Sequence, residues 1–84
     1  MENKELTYGE KAVGLSFNPG NNPDVDKIKK LSAELINIMD DLRKSQNTLH
    51  DSKGSEGQRI CSIAITELQT AQMWAVKAIT WNDK

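Results

Sequence analysis

Apolar residues recur at three- and four-residue steps through the middle of this chain. From Pro23 to about Ser45 the rhythm is Val25, Ile28, Ser32, Leu35, Met39 and Leu42, with Leu31, Ile36 and Ile38 widening the stripe. Such spacing predicts an amphipathic helix. Lys27, Lys30, Glu34, Asp41 and Lys44 fall off the narrow seam. Asn22-Pro23 reads as the start, because Asn accepts from free backbone N–H groups and Pro suits the first helical position. Asp24 and Asp26 then complement the positive helix end.

A second helix is expected over 56–81. Ser55-Glu-Gly-Gln58 matches a capping box, in which the hydroxyl and the amide satisfy orphan N–H groups. The stretch ITELQTAQMWAVKAITW that follows has no Gly or Pro and little charge. Ile60, Ala64, Leu68, Ala71, Ala75 and Ala78 trace one face, small enough for a neighbouring backbone to approach. Ile63, Trp74 and Trp81, with Ile65, Val76 and Ile79 nearby, lie elsewhere around the cylinder. One partner helix cannot cover both sets, and a helix apolar most of the way round is a buried helix. Further copies of the chain would bury the second set. The plainer alternative is a monomeric hairpin with a few exposed apolar residues.

The remainder connects these helices. Residues 1–22 are an arm and turn, with a short helix at most over 6–13, and FNPGNNP at 17–23 disfavours helix and strand alike. Residues 46–55 read as a polar loop. The expected fold is therefore all-α: a single domain over 1–84, an antiparallel helical hairpin with a short N-terminal helix or arm, assembled into a homo-oligomer.

Composition supports assembly. A chain of 84 residues buries a marginal core by itself. Small chains compensate with disulfides, metal or oligomerisation. Cys61 is the one cysteine and His50 the one histidine, which removes a disulfide and disfavours a metal site. A net charge of −1 disfavours general DNA or RNA binding. No run of about twenty apolar residues suggests a membrane span. MENKELTYGEK lacks the apolar core of a signal peptide, so a cytosolic protein is expected.

Catalytic chemistry is poorly represented. His50 reads as a solvated loop residue and Cys61 as a small packed hydrophobe. Asp40 and Asp41 point about 100 degrees apart on a helix, so a solvated pair is expected rather than a metal site. Binding chemistry is better represented. Lys27, Lys29 and Lys30 cluster near a helix N-terminus that favours anions, although a solvated face is the simpler account. Tyr8 in the arm is either a packing residue or a platform for a base. Arg59 suits phosphate or purine edges, or else pairs with Glu56 or a loop acid.

FNPGNNPDVDKIKK and, later, SIAITELQTAQMWAVKAITW resemble the small phage proteins that counter CBASS immunity by soaking up cyclic nucleotides. The hairpin is also similar to one in the Thoeris anti-defence sponges. The resemblance runs from Tyr8 to Trp81. It implies a non-enzymatic helical hexamer, without cofactor or metal, in the host bacterial cytoplasm. The implied ligands are cyclic dinucleotides such as 3',3'-cGAMP, with cyclic trinucleotides at separate pockets in some members. The family's pocket uses an N-terminal tyrosine, matched by Tyr8, and a lysine early in the first long helix. Lys27, Lys29 and Lys30 all compete for that place; Lys27 ranks first because it points away from the apolar seam. Arg59 is the candidate for a trinucleotide site. Two alternatives stand beside this reading: a sponge for cyclic ADP-ribose-type signals, and a helical module binding a host protein through Trp74 and Trp81.

Overall fold

The computed structural model describes residues 5–46 and 52–81. Among them are three helices and no strand: α1 (Tyr8–Val13), α2 (Pro23–Gln46) and α3 (Ser52–Ile79). His50 lies outside the described residues.

Each start and stop has a local cause. Thr7 caps α1 with a reciprocal pair: its hydroxyl accepts from Glu10 N at 3.1 Å, and Glu10 Oε1 accepts from Thr7 N at 2.9 Å. Gly14 ends α1 in the left-handed region at φ 63°, which a side chain would resist. The following turn is held by Asn18, whose amide donates to Asn22 O and to Asp26 Oδ1, both at 2.9 Å. Asn22 Oδ1 then accepts from Asp24 N at 2.8 Å, the capping role expected of it.

α3 departs from expectation at its start. The helix is already running at Ser52, so position 55 lies within it and the predicted capping box does not open it. Gln58 is turned to another use, its amide donating to the Arg43 carbonyl near the end of α2 at 3.3 Å. That bond satisfies one of the carbonyls a helix end leaves without a partner.

The core is small: Val13, Ala33, Ile36 and Ile65, with Ala12, Leu15, Met39 and Leu68 packed against it. It keeps Val25, Ser32 and Ile36 of the expected α2 stripe and shifts the α3 seam from Ile60 and Ala64 to Cys61 and Ile65. On α2 the buried line is Val25, Lys29, Ser32, Ala33, Ile36 and Asp40, while Leu31, Leu35, Ile38 and Leu42 are exposed. On α3 the buried residues are Cys61, Ile65 and Gln72, while Ala71 and Ala78 are exposed. Lys29 and Asp40 occupy inner positions because neighbours partner their charged atoms, whereas Gln72 Oε1, among the described residues, is buried without a hydrogen bond. Cys61 packs as the small hydrophobe anticipated.

The helices lie as one flat layer, 51 × 35 × 12 Å. The radius of gyration is 15.2 Å, against about 12 Å for a compact domain of this length. Domains normally bury their apolar faces between two layers. Here Ile60, Ile63 and Trp74 on α3 share the side turned away from Cys61 and Ile65, and these, with Trp81 just past the helix, are exposed.

Candidate functional site

α1 is only one and a half turns long and depends on α2 for its place. Gly9 is buried against Ala33, and its N–H donates to Asn37 Oδ1 at 2.8 Å. Asn37 Nδ2 donates to Thr7 Oγ1 at 3.1 Å. These bonds lay the start of α1 across the second half of α2 and set Tyr8 beside it. The Tyr8 ring is 46% exposed. The Arg43 guanidinium sits over it, 5.3 Å from the ring centroid, a cation–π arrangement.

Arg43 is itself fixed on several sides. It donates to Asp40 Oδ1 at 2.7 Å and to Ser62 Oγ at 3.0 Å, linking α2 to α3. Lys44 Nζ lies 3.1 Å from the other Asp40 oxygen. The Arg43 hydrogen bond holds the Asp40 carboxyl below its ordinary range despite burial, and Lys44 reinforces the effect. Asp40 in turn raises the Arg43 guanidinium, with Tyr8 adding to it. Asp40 is thus a buried, doubly paired carboxylate, not half of the solvated pair expected; Asp41 alone is exposed. A pocket of about 360 Å³ opens here, lined by Thr7, Tyr8, Asn37, Asp40, Asp41 and Lys44.

The lysine cluster stands at the other end of α2. Between Lys27 and Arg43 the helix rises about 24 Å. Within one chain, therefore, Tyr8 and the early lysines do not share a pocket. Lys27 and Lys30 are exposed. Lys29 is 5% exposed and turned inward, donating to Gly14 O at 2.9 Å and to Phe17 O, with its ammonium 5.4 Å from the Phe17 ring centroid. It ties the end of α1 and the FNP turn to α2. A cavity of about 350 Å³ adjoins it, lined in part by Phe17, Pro19, Val25, Val76 and Thr80. Lys29→Met keeps the stem but takes the ammonium from both carbonyls, of which Gly14 O retains the Phe17 N–H. The expected loss is roughly 1–3 kcal/mol of stability, read as a lower urea midpoint; an unchanged midpoint would show that water replaces the ammonium without penalty.

Arg59 is exposed near the start of α3 and paired with Glu56 at 2.7 Å. This is the surface ion pair weighed as its plainer role. The Arg59 hydrogen bond lowers the Glu56 carboxyl, and Glu56 raises the guanidinium. Such an exposed partner leaves the guanidinium accessible.

The residues that surround Tyr8 were not read from the sequence as a site. Asn37, Asp40, Asp41 and Lys44 stand at helical three- and four-residue steps, which is a visible signal of one face. Nothing in the pattern says that α1 folds back over that face. Among the described residues no group of three His, Cys, Asp or Glu side chains could hold a metal. No helix among them is long and apolar enough to cross a membrane.

Neither a curated protein nor a solved structure matches this chain. A family model does: the one described as the Acb2/Tad1 hairpin domain matches residues 10–80, nearly the whole of the hairpin and most of α1. The three-helix arrangement agrees with that description, and the chain belongs to the Acb2/Tad1 hairpin-domain family.

Proposed function

We propose that this protein binds and sequesters cyclic oligonucleotide second messengers without cleaving them, and so blocks CBASS immunity from within the infected bacterial cytoplasm. The family implies an anti-defence sponge role in general. The observation that carries the finer reading is Tyr8: a half-exposed ring, held by Arg43, on the rim of a pocket. A ring so placed offers a platform for a base.

Cyclic dinucleotides such as 3',3'-cGAMP are the proposed main ligands. They carry two bases and two phosphates about a near two-fold axis. A two-fold interface between subunits presents every side chain twice, so paired Tyr8 rings match paired bases. The flat single layer and its exposed apolar stripes support assembly into a homo-oligomer, for which the family resemblance suggests a hexamer. Assembly also offers a way to bring Tyr8 of one copy near Lys27 of another. Lys29 supports such a site indirectly, by holding the turn that precedes Lys27. Arg59, exposed and far from the Lys27 end, is the proposed contact for cyclic trinucleotides at a separate site.

Capture and release tests this reading. Protein mixed with 3',3'-cGAMP is filtered, and the retained fraction is heated and chromatographed. Intact ligand, depleted from the filtrate and then released, is the expected result; a linear product would mean hydrolysis and overturn it. Tyr8→Ala removes a stack worth roughly 1–3 kcal/mol and should weaken capture about five- to hundredfold. Undiminished binding by that variant would show that the ring is not the platform. Capture of cyclic ADP-ribose isomers alone would favour the Thoeris branch of the same family. The exposed Trp74 and Trp81 favour a second reading, docking to a host protein. It would be supported by a monomer whose tryptophan emission is that of solvated rings.

A further inference from the structure

Asp40 and Asp41 are neighbours on α2 with opposite surroundings. Asp40 is buried, one oxygen facing Arg43 at 2.7 Å and the other Lys44 at 3.1 Å. Asp41 is exposed and lines the same pocket as Tyr8. Among the described residues no cation or donor meets its carboxylate. The pocket's amide, Asn37, is already engaged on both its atoms, with Gly9 N and with Thr7 Oγ1. Thr7 Oγ1 already accepts from Asn37 and from Glu10 N. Lys44 and the Thr7 hydroxyl keep protons to donate, whereas the exposed acceptor beside the Tyr8 ring is the Asp41 carboxylate, with two oxygens and no proton to give.

Bases differ in what they bring to such a group. Guanine presents two adjacent donors, N1–H and N2–H, on its Watson–Crick edge, spaced to meet both oxygens of one carboxylate. Adenine presents one donor beside an acceptor, N1, whose lone pair would face the carboxylate. Uracil and cytosine each offer a single donor next to acceptors. Paired hydrogen bonds to a charged acceptor are the strong and geometrically selective kind.

We infer that Asp41 is the base-selecting residue of the Tyr8 pocket: it accepts the Watson–Crick edge of a guanine stacked on the Tyr8 ring, so that guanine-bearing cyclic dinucleotides are taken in preference to adenine-only ones. This rests on the sequestration reading above. The local charges allow it. Arg43 and Lys44 balance Asp40 and Asp41 within the cluster, so no uncompensated negative field repels the ligand. Lys44, with a side chain 72% exposed, is long enough to turn from Asp40 toward a phosphate, while Arg43 keeps Asp40 paired.

Calorimetric titration of the full-length protein with 3',3'-c-di-GMP and 3',3'-c-di-AMP tests the inference, since the two ligands differ only in their bases. The parent should bind the guanine ligand roughly tenfold more tightly, the discrimination a good bidentate base contact supplies. Asp41→Asn replaces two acceptors by one acceptor and one donor, the complement of adenine's edge. It should weaken c-di-GMP by about that factor and leave c-di-AMP unchanged or tighter. Asp41 is on the surface, so the variant should keep the parent's circular dichroism. Equal binding of both ligands by the parent would overturn the inference and leave sequestration standing. A variant that keeps the preference, or weakens both ligands alike, would overturn it too. Binding of neither ligand by the parent would overturn the inference together with the cyclic-dinucleotide reading beneath it.

Discussion

Gly9→Ala should abolish cyclic-dinucleotide capture while the long hairpin stays folded. A Cβ at position 9 would stand 2.1 Å from Ala33 O and 2.9 Å from Ala33 C, inside the contact distance of any two such atoms. Both are backbone atoms in the middle of α2 and cannot turn aside. The added methyl also falls 2.8 Å from Asn37 Oδ1, the acceptor of the Gly9 N–H bond. Overpacking of this kind costs roughly 1–3 kcal/mol where side chains can shift, and here α1 must lift. A helix of six residues does not survive alone in water. Tyr8 then leaves Arg43, and Val13 leaves the core. α2 and α3 keep their mutual contacts through Ile36, Ile65, Arg43 and Ser62. The measurement is a pair: far-ultraviolet dichroism close to the parent's, and ligand capture reduced beyond detection. Full capture by this variant would mean that α1 is not part of the site.

Leu35→Glu combined with Ile38→Glu should leave the protein monomeric. Leu31, Leu35, Ile38 and Leu42 follow one another at the four-three-four spacing by which helices interlock along a seam. All four are exposed in the single chain, Ile38 by 58%. The hairpin core lies on the other side of α2, so the substitutions take nothing from Ile36 or Ala33. Each Glu would place an unpaired charge in an apolar contact, where burial without a partner is strongly unfavourable. Light scattering at concentrations where the parent assembles should give the mass of one chain. If the pocket draws on two subunits, capture is lost together with assembly. A parent-like mass would place the interface elsewhere and withdraw the α2 stripe from the argument.

The helices were legible in the sequence because their causes are local. Asn22-Pro23 marks the start of α2, and the sparsely charged stretch after Ile65 marks α3. The Thr7–Glu10 capping box that opens α1 was not read from the sequence and comes from the structure. The packing seams were legible in part, in Val25, Ser32 and Ile36, and were missed where charged residues hold inner positions. Lys29 is buried by carbonyls that the chain brings from twelve and fifteen residues away. Asp40 is buried because Arg43 bridges to Ser62 across the hairpin. Periodicity places Lys29 one turn after Val25 and so nearer the core, but it does not name the carbonyls that receive the ammonium, and it assigns Asp40 to the outside because it counts polarity and not partners. The site shows the same division. Tyr8 stood out as the one tyrosine, placed in the arm, and Lys27 was correctly expected to point outward. The face that α1 covers depends on tertiary contacts centred on Gly9 and Asn37, which no spacing encodes.

The single layer of helices carries a consequence for when the protein is folded at all. With Ile36 as the one large side chain among the described residues fully removed from solvent, an isolated chain has little with which to oppose its conformational entropy. Any partner that binds only the folded form adds stability by mass action, whether a second copy or a ligand. The melting temperature of this protein should then rise with its own concentration, and rise again when it is loaded. A newly made chain at low abundance would be a loose hairpin, and the accumulating population would set its own structure. Abundance, which any stoichiometric inhibitor requires, would here be a condition of having a fold as well as of having an effect.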